Sequence, residues 1–175
     1  DMARLQTDAI IISSCLGVVW VGLIGTYKMI VNSVSGYVNL IFNSVISSFG
    51  NLIATESREK QFQLFLVYRF FAIWVYGFSA VGFFLLLSPL VELYVGADRV
   101  LATSIIAWYL TDYFFKGERV VLSNFKTAAG VFEQDKYLSI LQGIVNLVLS
   151  IALVFKIGLE GVFIGTVVSG LIANI

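Results

Sequence analysis

The sequence predicts an all-α integral membrane protein, and three observations carry that prediction. Mean hydropathy is +0.93, and hydrophobic residues fill 59% of the 175 positions. Apolar runs of helical length recur along the chain, whereas barrel strands would alternate over about 10 residues. A water-soluble domain of this size would have to leave much of that surface wet. The polar residues fall in stripes along otherwise apolar helices. A stripe of this kind faces water or a protein neighbour, with lipid on the remaining faces.

Six apolar stretches are expected to span, at residues 5–19, 22–52, 62–87, 100–126, 138–154 and 159–175. The first carries Asp8, read either as a helix-start residue or as a group for gating or ion coupling. The second places Lys28, Asn32, Ser35, Asn39 and Asn43 on one face at three- and four-residue spacings. Amides in such positions bond to a neighbouring helix or to water, and the stripe with its lysine is read as a wet surface. The third holds Arg69 among Tyr68, Phe70 and Phe71. Arg69 either snorkels to the interface or turns inward, where its guanidinium would suit a phosphate. This span is expected to stop at Ser88–Pro89, since proline lacks the N–H and clashes with the preceding turn. Pro89 to Asp98 then reads as an amphipathic segment at the outer interface.

The fourth stretch organises the rest. At about 100° per residue, Tyr109, Asp112, Lys116, Arg119, Ser123 and Lys126 share about 100° of arc, and Glu118 points elsewhere. Asp112 and Lys116 stand at i,i+4 and neutralise each other, or Asp112 holds a proton or cation in a coupling cycle. Arg119 keeps the stripe positive. This helix is expected to form one wall of a cationic cavity, with Lys28, Asn39, Lys116 and Arg119 converging on one concave face. The fifth stretch follows a turn in which Gly130 ends one helix and Asp135 caps the next. Its Gln142, Asn146 and Ser150 read as packing, as do Gly158, Gly161, Gly165 and Ser169 in and before the sixth, where small residues let helices approach.

Loop by loop, Arg4, Arg58, Lys60, Lys126 and Lys136 lie on one side, and Arg99 and Lys156 on the other. The first side is therefore expected in the cytoplasm. With no His and a single cysteine, Cys15, the chain has no internal disulfide and no cysteine metal site. No serine has a convincing base, so neither an enzyme nor a cofactor is expected. Lys and Arg are spread rather than clustered, which gives no footing for nucleic acid. The chain begins at Asp1 and ends inside an apolar run, as a part of something longer would.

The motifs TDAIIISSCLG (Thr7 to Gly17), VGLIGTYKMIVNSV with IFNSVISSFGNLIA (Val21 to Ala54), NFKTAAGVFEQDKY (Asn124 to Tyr137), NLVLSIAL (Asn146 to Leu153) and GLEGVFIGTVVSGL (Gly158 to Leu171) occur in this order. Together they make the chain similar to Wzx-type lipid-linked oligosaccharide flippases. Those belong to the multidrug/oligosaccharidyl-lipid/polysaccharide exporter (MOP) superfamily. The resemblance covers essentially the whole chain. It implies a six-helix bundle, the second lobe of a MATE-like V-shaped transporter whose first lobe is the missing partner. It also implies flipping of undecaprenyl-diphosphate-linked oligosaccharides across the bacterial inner membrane, by alternating access, for O-antigen, capsule or exopolysaccharide. The family's cavity cations carry over to Arg119 and, less directly, to Lys28. Within the same fold, the alternatives are a cation-coupled multidrug exporter or a peptidoglycan-precursor flippase. A membrane polysaccharide polymerase or ligase would show large extracytoplasmic loops with catalytic Arg or His. A structural scaffold would need no charged stripes.

Overall fold

The computed structural model describes residues 2–96, 99–130 and 133–172, and among them every regular element is a helix. In order these are α1 (Met2–Cys15), α2 (Val18–Asn43), α3 (Ile46–Thr55), α4 (Arg58–Val95), α5 (Thr103–Ala129), α6 (Glu133–Ile157) and α7 (Leu159–Ile172). Three stretches are long and apolar enough to cross a membrane: Val18–Thr55, which takes α2 and α3 together, Arg58–Val95 and Ile140–Ile157.

Polar and apolar side chains are distributed the reverse of a water-soluble fold. Val19, Phe78 and Tyr94 are 80–87% exposed, whereas Asn146, Ser150 and Ser169 are fully enclosed. An apolar exterior around polar contacts between helices is the arrangement expected of a bundle bathed in hydrocarbon.

α5 is the hub. It packs against α2, α3, α4 and α7, while α6 pairs with α7 and α1 lies against α2, α6 and α7. α4 and α5 run antiparallel: Arg69 meets Glu118, Gly77 meets Phe114 and Phe83 meets Tyr113. α6 and α7 form a hairpin around one residue, Gly158, whose φ of +65° favours glycine. A Cβ on Gly161 would meet the Leu153 carbonyl carbon at 2.5 Å, and one on Gly165 the Ser150 hydroxyl at 2.6 Å. The stripe of small residues is thus the surface on which these two helices close. Gly130 ends α5 as expected, left-handed at φ +70°, with its N–H on the carbonyls of Lys126 and Thr127.

Several boundaries differ from the sequence reading. The expected second span is two helices with a turn at Ser44–Val45. There the Ser44 hydroxyl bonds back to Ile41 O (2.7 Å), and the Phe42 carbonyl accepts from Tyr68 (2.6 Å) and Asn124 (3.0 Å). Side chains thus serve acceptors where the helix breaks. The stop at Pro89 does not occur. α4 continues to Val95, so Pro89 onward is the helix's last turns rather than a separate interfacial segment. Leu87 and Val91, both fully buried, clamp the helix on either side of the proline, and packing outweighs the one lost hydrogen bond. The first span ends at Cys15, with Val18 and Val19 already in α2. α6 starts at Glu133, which puts Asp135 inside the first turn; its side chain, like residues 97–98 and 173–175, lies outside the described part.

Candidate functional site

α2 is tied to its neighbours at Tyr27 and at its C-terminal end. In its first half the Tyr27 hydroxyl accepts from the Leu101 N–H at 3.1 Å. At its end Phe42 is tied to α4 and α5, and Phe42, Phe49, Phe65, Tyr68 and Phe125 stack there at centroid distances of 4.1–5.3 Å. Along α2 from Val21 to Asn39 lies a cavity of about 540 Å³, within the range of small-molecule sites.

Each wall comes from a different element. α2 contributes Lys28, Asn32, Ser35 and Asn39; α5 contributes Tyr109, Asp112, Tyr113 and Lys116; α1 adds Ala9 and Ile12, and α4 adds Tyr76. Tyr76 bridges three helices. Its ring occupies the place of a side chain on Gly117, where a Cβ would lie 2.1 Å from the ring. Its hydroxyl donates to Asn39 Oδ1 at 2.5 Å. Among the lining charges, Lys116 pairs with the buried Asp112 at 2.5 Å, and Lys28 leaves one positive charge in surplus.

The sequence-derived candidates divide. Lys28, Asn32, Asn39, Asp112 and Lys116 line the cavity, and Arg119, Arg69, Asn43 and Asp8 do not. Arg119 lies apart from this cavity. On α5 the cavity is lined by Tyr109, Asp112, Tyr113, Lys116, Gly117 and Val120. Arg119 is absent from that lining, and its Nε and Nη2 atoms are enclosed by protein. Arg69 is exposed and bonds the Glu118 carboxylate through Nε (3.0 Å) and Nη2, an α4–α5 tie rather than a phosphate clamp. Asn43 is exposed at the end of α2.

Asp8 sits behind the cavity wall in a second cluster, 6% exposed. The Thr166 hydroxyl lies 3.2 Å from Asp8 Oδ2 and 3.0 Å from Val162 O, with one proton to give. Asn146 Nδ2 donates to Thr166 Oγ1 (3.1 Å) and Ser169 Oγ (3.4 Å), and the Ser150 hydroxyl reaches Val162 O at 3.5 Å. Asn146 Oδ1 is buried without a hydrogen bond. These contacts tie α1, α6 and α7 together through one buried polar network. Among the described residues no group of three or more acidic, His or Cys side chains gathers to hold a metal.

The α6 stripe read as packing does pack against α7; sequence reasoning placed Tyr109 on the stripe but did not join Asp8 to this cluster or find Tyr76 and Tyr113 in the cavity. The signal was present: Gln142, Asn146 and Ser150 on one helix face the four-residue repeat Gly161, Gly165, Ser169 on the next. Facing polar stripes joined by a carboxylate are a buried network.

No protein-family model matches the chain, and no characterised protein or solved structure matches it.

Proposed function

We propose that this chain is a transmembrane lobe of a transporter that carries a lipid-diphosphate-linked oligosaccharide between membrane leaflets. The cavity of about 540 Å³ with a surplus ammonium at Lys28 carries the reading. In this reading Lys28 holds the diphosphate, assisted by Lys116. Asn32, Ser35 and Asn39 offer hydrogen bonds to sugar hydroxyls along one face of α2, and the lipid tail stays against the apolar exterior. An ammonium in a partly desolvated cavity attracts an anion far more strongly than it would in water, and ionisable groups at such depth mark a substrate path. The resemblance to polysaccharide flippases of the MOP superfamily supports the lobe architecture, an undecaprenyl carrier and placement in a bacterial inner membrane. Ligand positions would then be shared with a first lobe.

The multidrug-exporter alternative fits less well, because two lysines in one cavity repel a lipophilic cation. The test uses the protein in detergent micelles and compares farnesyl diphosphate with farnesol by calorimetry. The diphosphate is expected to bind, the alcohol much more weakly, and Lys28→Ala to lower diphosphate affinity by roughly 10-fold, the loss of one charge-assisted contact. Equal binding of the two ligands, or full affinity in Lys28→Ala, would sink the reading.

A further inference from the structure

Lys28 and Asn39 both line the cavity from α2. They fall within about 20° of arc on that helix and about 16 Å apart along its axis. A diphosphate held by Lys28 therefore leaves Asn39 to whatever the ligand carries beyond it. What Asn39 can offer there is set by Tyr76. The Tyr76 ring is 2% exposed, packs on Phe42 and Tyr113 at centroid distances of 5.4 and 5.7 Å, and fills the space of a side chain on Gly117. From that fixed position its hydroxyl donates to Asn39 Oδ1 at 2.5 Å. The phenol has one proton to place, and a reversed amide would meet it with an N–H instead of an acceptor. The amide oxygen is thereby taken. The two N–H groups on Nδ2 have no partner among the described residues, so Asn39 faces the ligand as a donor.

We propose that Asn39, oriented by Tyr76, selects sugars bearing a carbonyl oxygen, as an N-acyl group or a uronate carboxylate, over sugars bearing hydroxyls alone. The inference rests on the cavity being the diphosphate–oligosaccharide site proposed above. A hydroxyl can also accept from the Asn39 amide, but it brings a proton of its own that needs a further acceptor. A carbonyl oxygen brings two lone pairs and no proton, and so matches a group that only donates. Leaving a polar group unmatched in a partly desolvated site costs more than a good contact gains, and specificity is built on that asymmetry. Tyr76 acts here as a positioning residue. Without its proton the amide is free to turn, and Asn39 then offers oxygen or nitrogen as the ligand requires.

The experiment measures, by calorimetry in detergent micelles, the binding of farnesyl diphosphate carrying one of three disaccharides: di-N-acetylchitobiose, cellobiose or cellobiuronic acid. The three share one linkage and differ in acetamido, hydroxyl and carboxylate groups, and farnesyl diphosphate alone is the reference. Wild type is expected to bind a carbonyl-bearing ligand about 5-fold more tightly than the cellobiose ligand, the worth of one neutral hydrogen bond. Whichever of the two carbonyl ligands leads tells an N-acyl sugar from a uronate. Tyr76→Phe keeps the ring but has no proton to give, and the preference is expected to vanish. Asn39→Asp, close in shape but without N–H donors, is expected to reverse the preference towards cellobiose. A merely structural role would weaken every ligand and leave their order unchanged. Tyr76→Phe carries the test should Asn39→Asp fail to fold. If wild type binds the three disaccharides alike or prefers cellobiose, or if either variant keeps the wild-type preference, the proposal is overturned and the diphosphate site stands. If neither farnesyl diphosphate nor any of its glycosides binds, the diphosphate site falls and this selection with it.

Discussion

Tyr76 reaches Asn39 because Gly117 has no side chain to hold its ring away from α5. The contact is severe: a Cβ at Gly117 would meet three ring carbons at 2.1–2.6 Å. Gly117→Ala is therefore expected to displace Tyr76, break its bond to Asn39 and lower stability by about 1–3 kcal/mol, the usual range for overpacking. A thermal melt in detergent that is unchanged from wild type would show that the ring has another place to go. Nothing in the local sequence KGER announces this role, since a glycine between charged residues also suits a solvated turn. Arg119 makes the same point from the other side. Its place on the charged stripe was legible at about 100° per residue, but which residues of the stripe border the cavity depends on where α2 and Tyr76 lie. Lys28 and Asn39 were found because their helix has one polar face and that face borders the cavity.

Small residues decide how α6 and α7 meet. The neighbours of a Cβ on Gly161 would be the Leu153 carbonyl carbon and oxygen, both at 2.5 Å, and backbone cannot swing aside. Gly161→Ala is expected to part the hairpin, pull Thr166 and Ser169 away from Asn146, and lower the melting temperature more than Gly117→Ala. Gly143→Ala, with open space around its position, is expected to be neutral or stabilising by up to about 1 kcal/mol. Equal melting temperatures for the two hairpin variants would contradict this packing. The helices themselves were largely legible in sequence, with ends such as Gly130 marked by backbone chemistry. The misjudged boundaries, at Ser44–Val45 and Pro89, are places where tertiary contacts overrule local preference. Tyr68 and Asn124 serve the Phe42 carbonyl at the first, and buried Leu87 and Val91 carry the helix through the second.

The assembled chain shows apolar side chains outward and polar ones inward. Spin labels report this directly in lipid nanodiscs. A label at Phe78→Cys is expected to be relaxed by oxygen, which concentrates in hydrocarbon, and one at Asn32→Cys by a water-soluble nickel chelate. Chelate access at position 78 together with its exclusion at position 32 would contradict a lipid-facing exterior around a wet cavity. By itself the sequence determined the helical class, the greasy exterior and the existence of polar stripes, because hydropathy and the helical repeat are local properties of the chain. Only the tertiary structure decided which polar residues border the cavity, that Arg119 is not among them, and that Asp8 joins α6 and α7. Those outcomes depend on helix rotation and spacing, which are set by contacts between residues as far apart as Asp8 and Thr166.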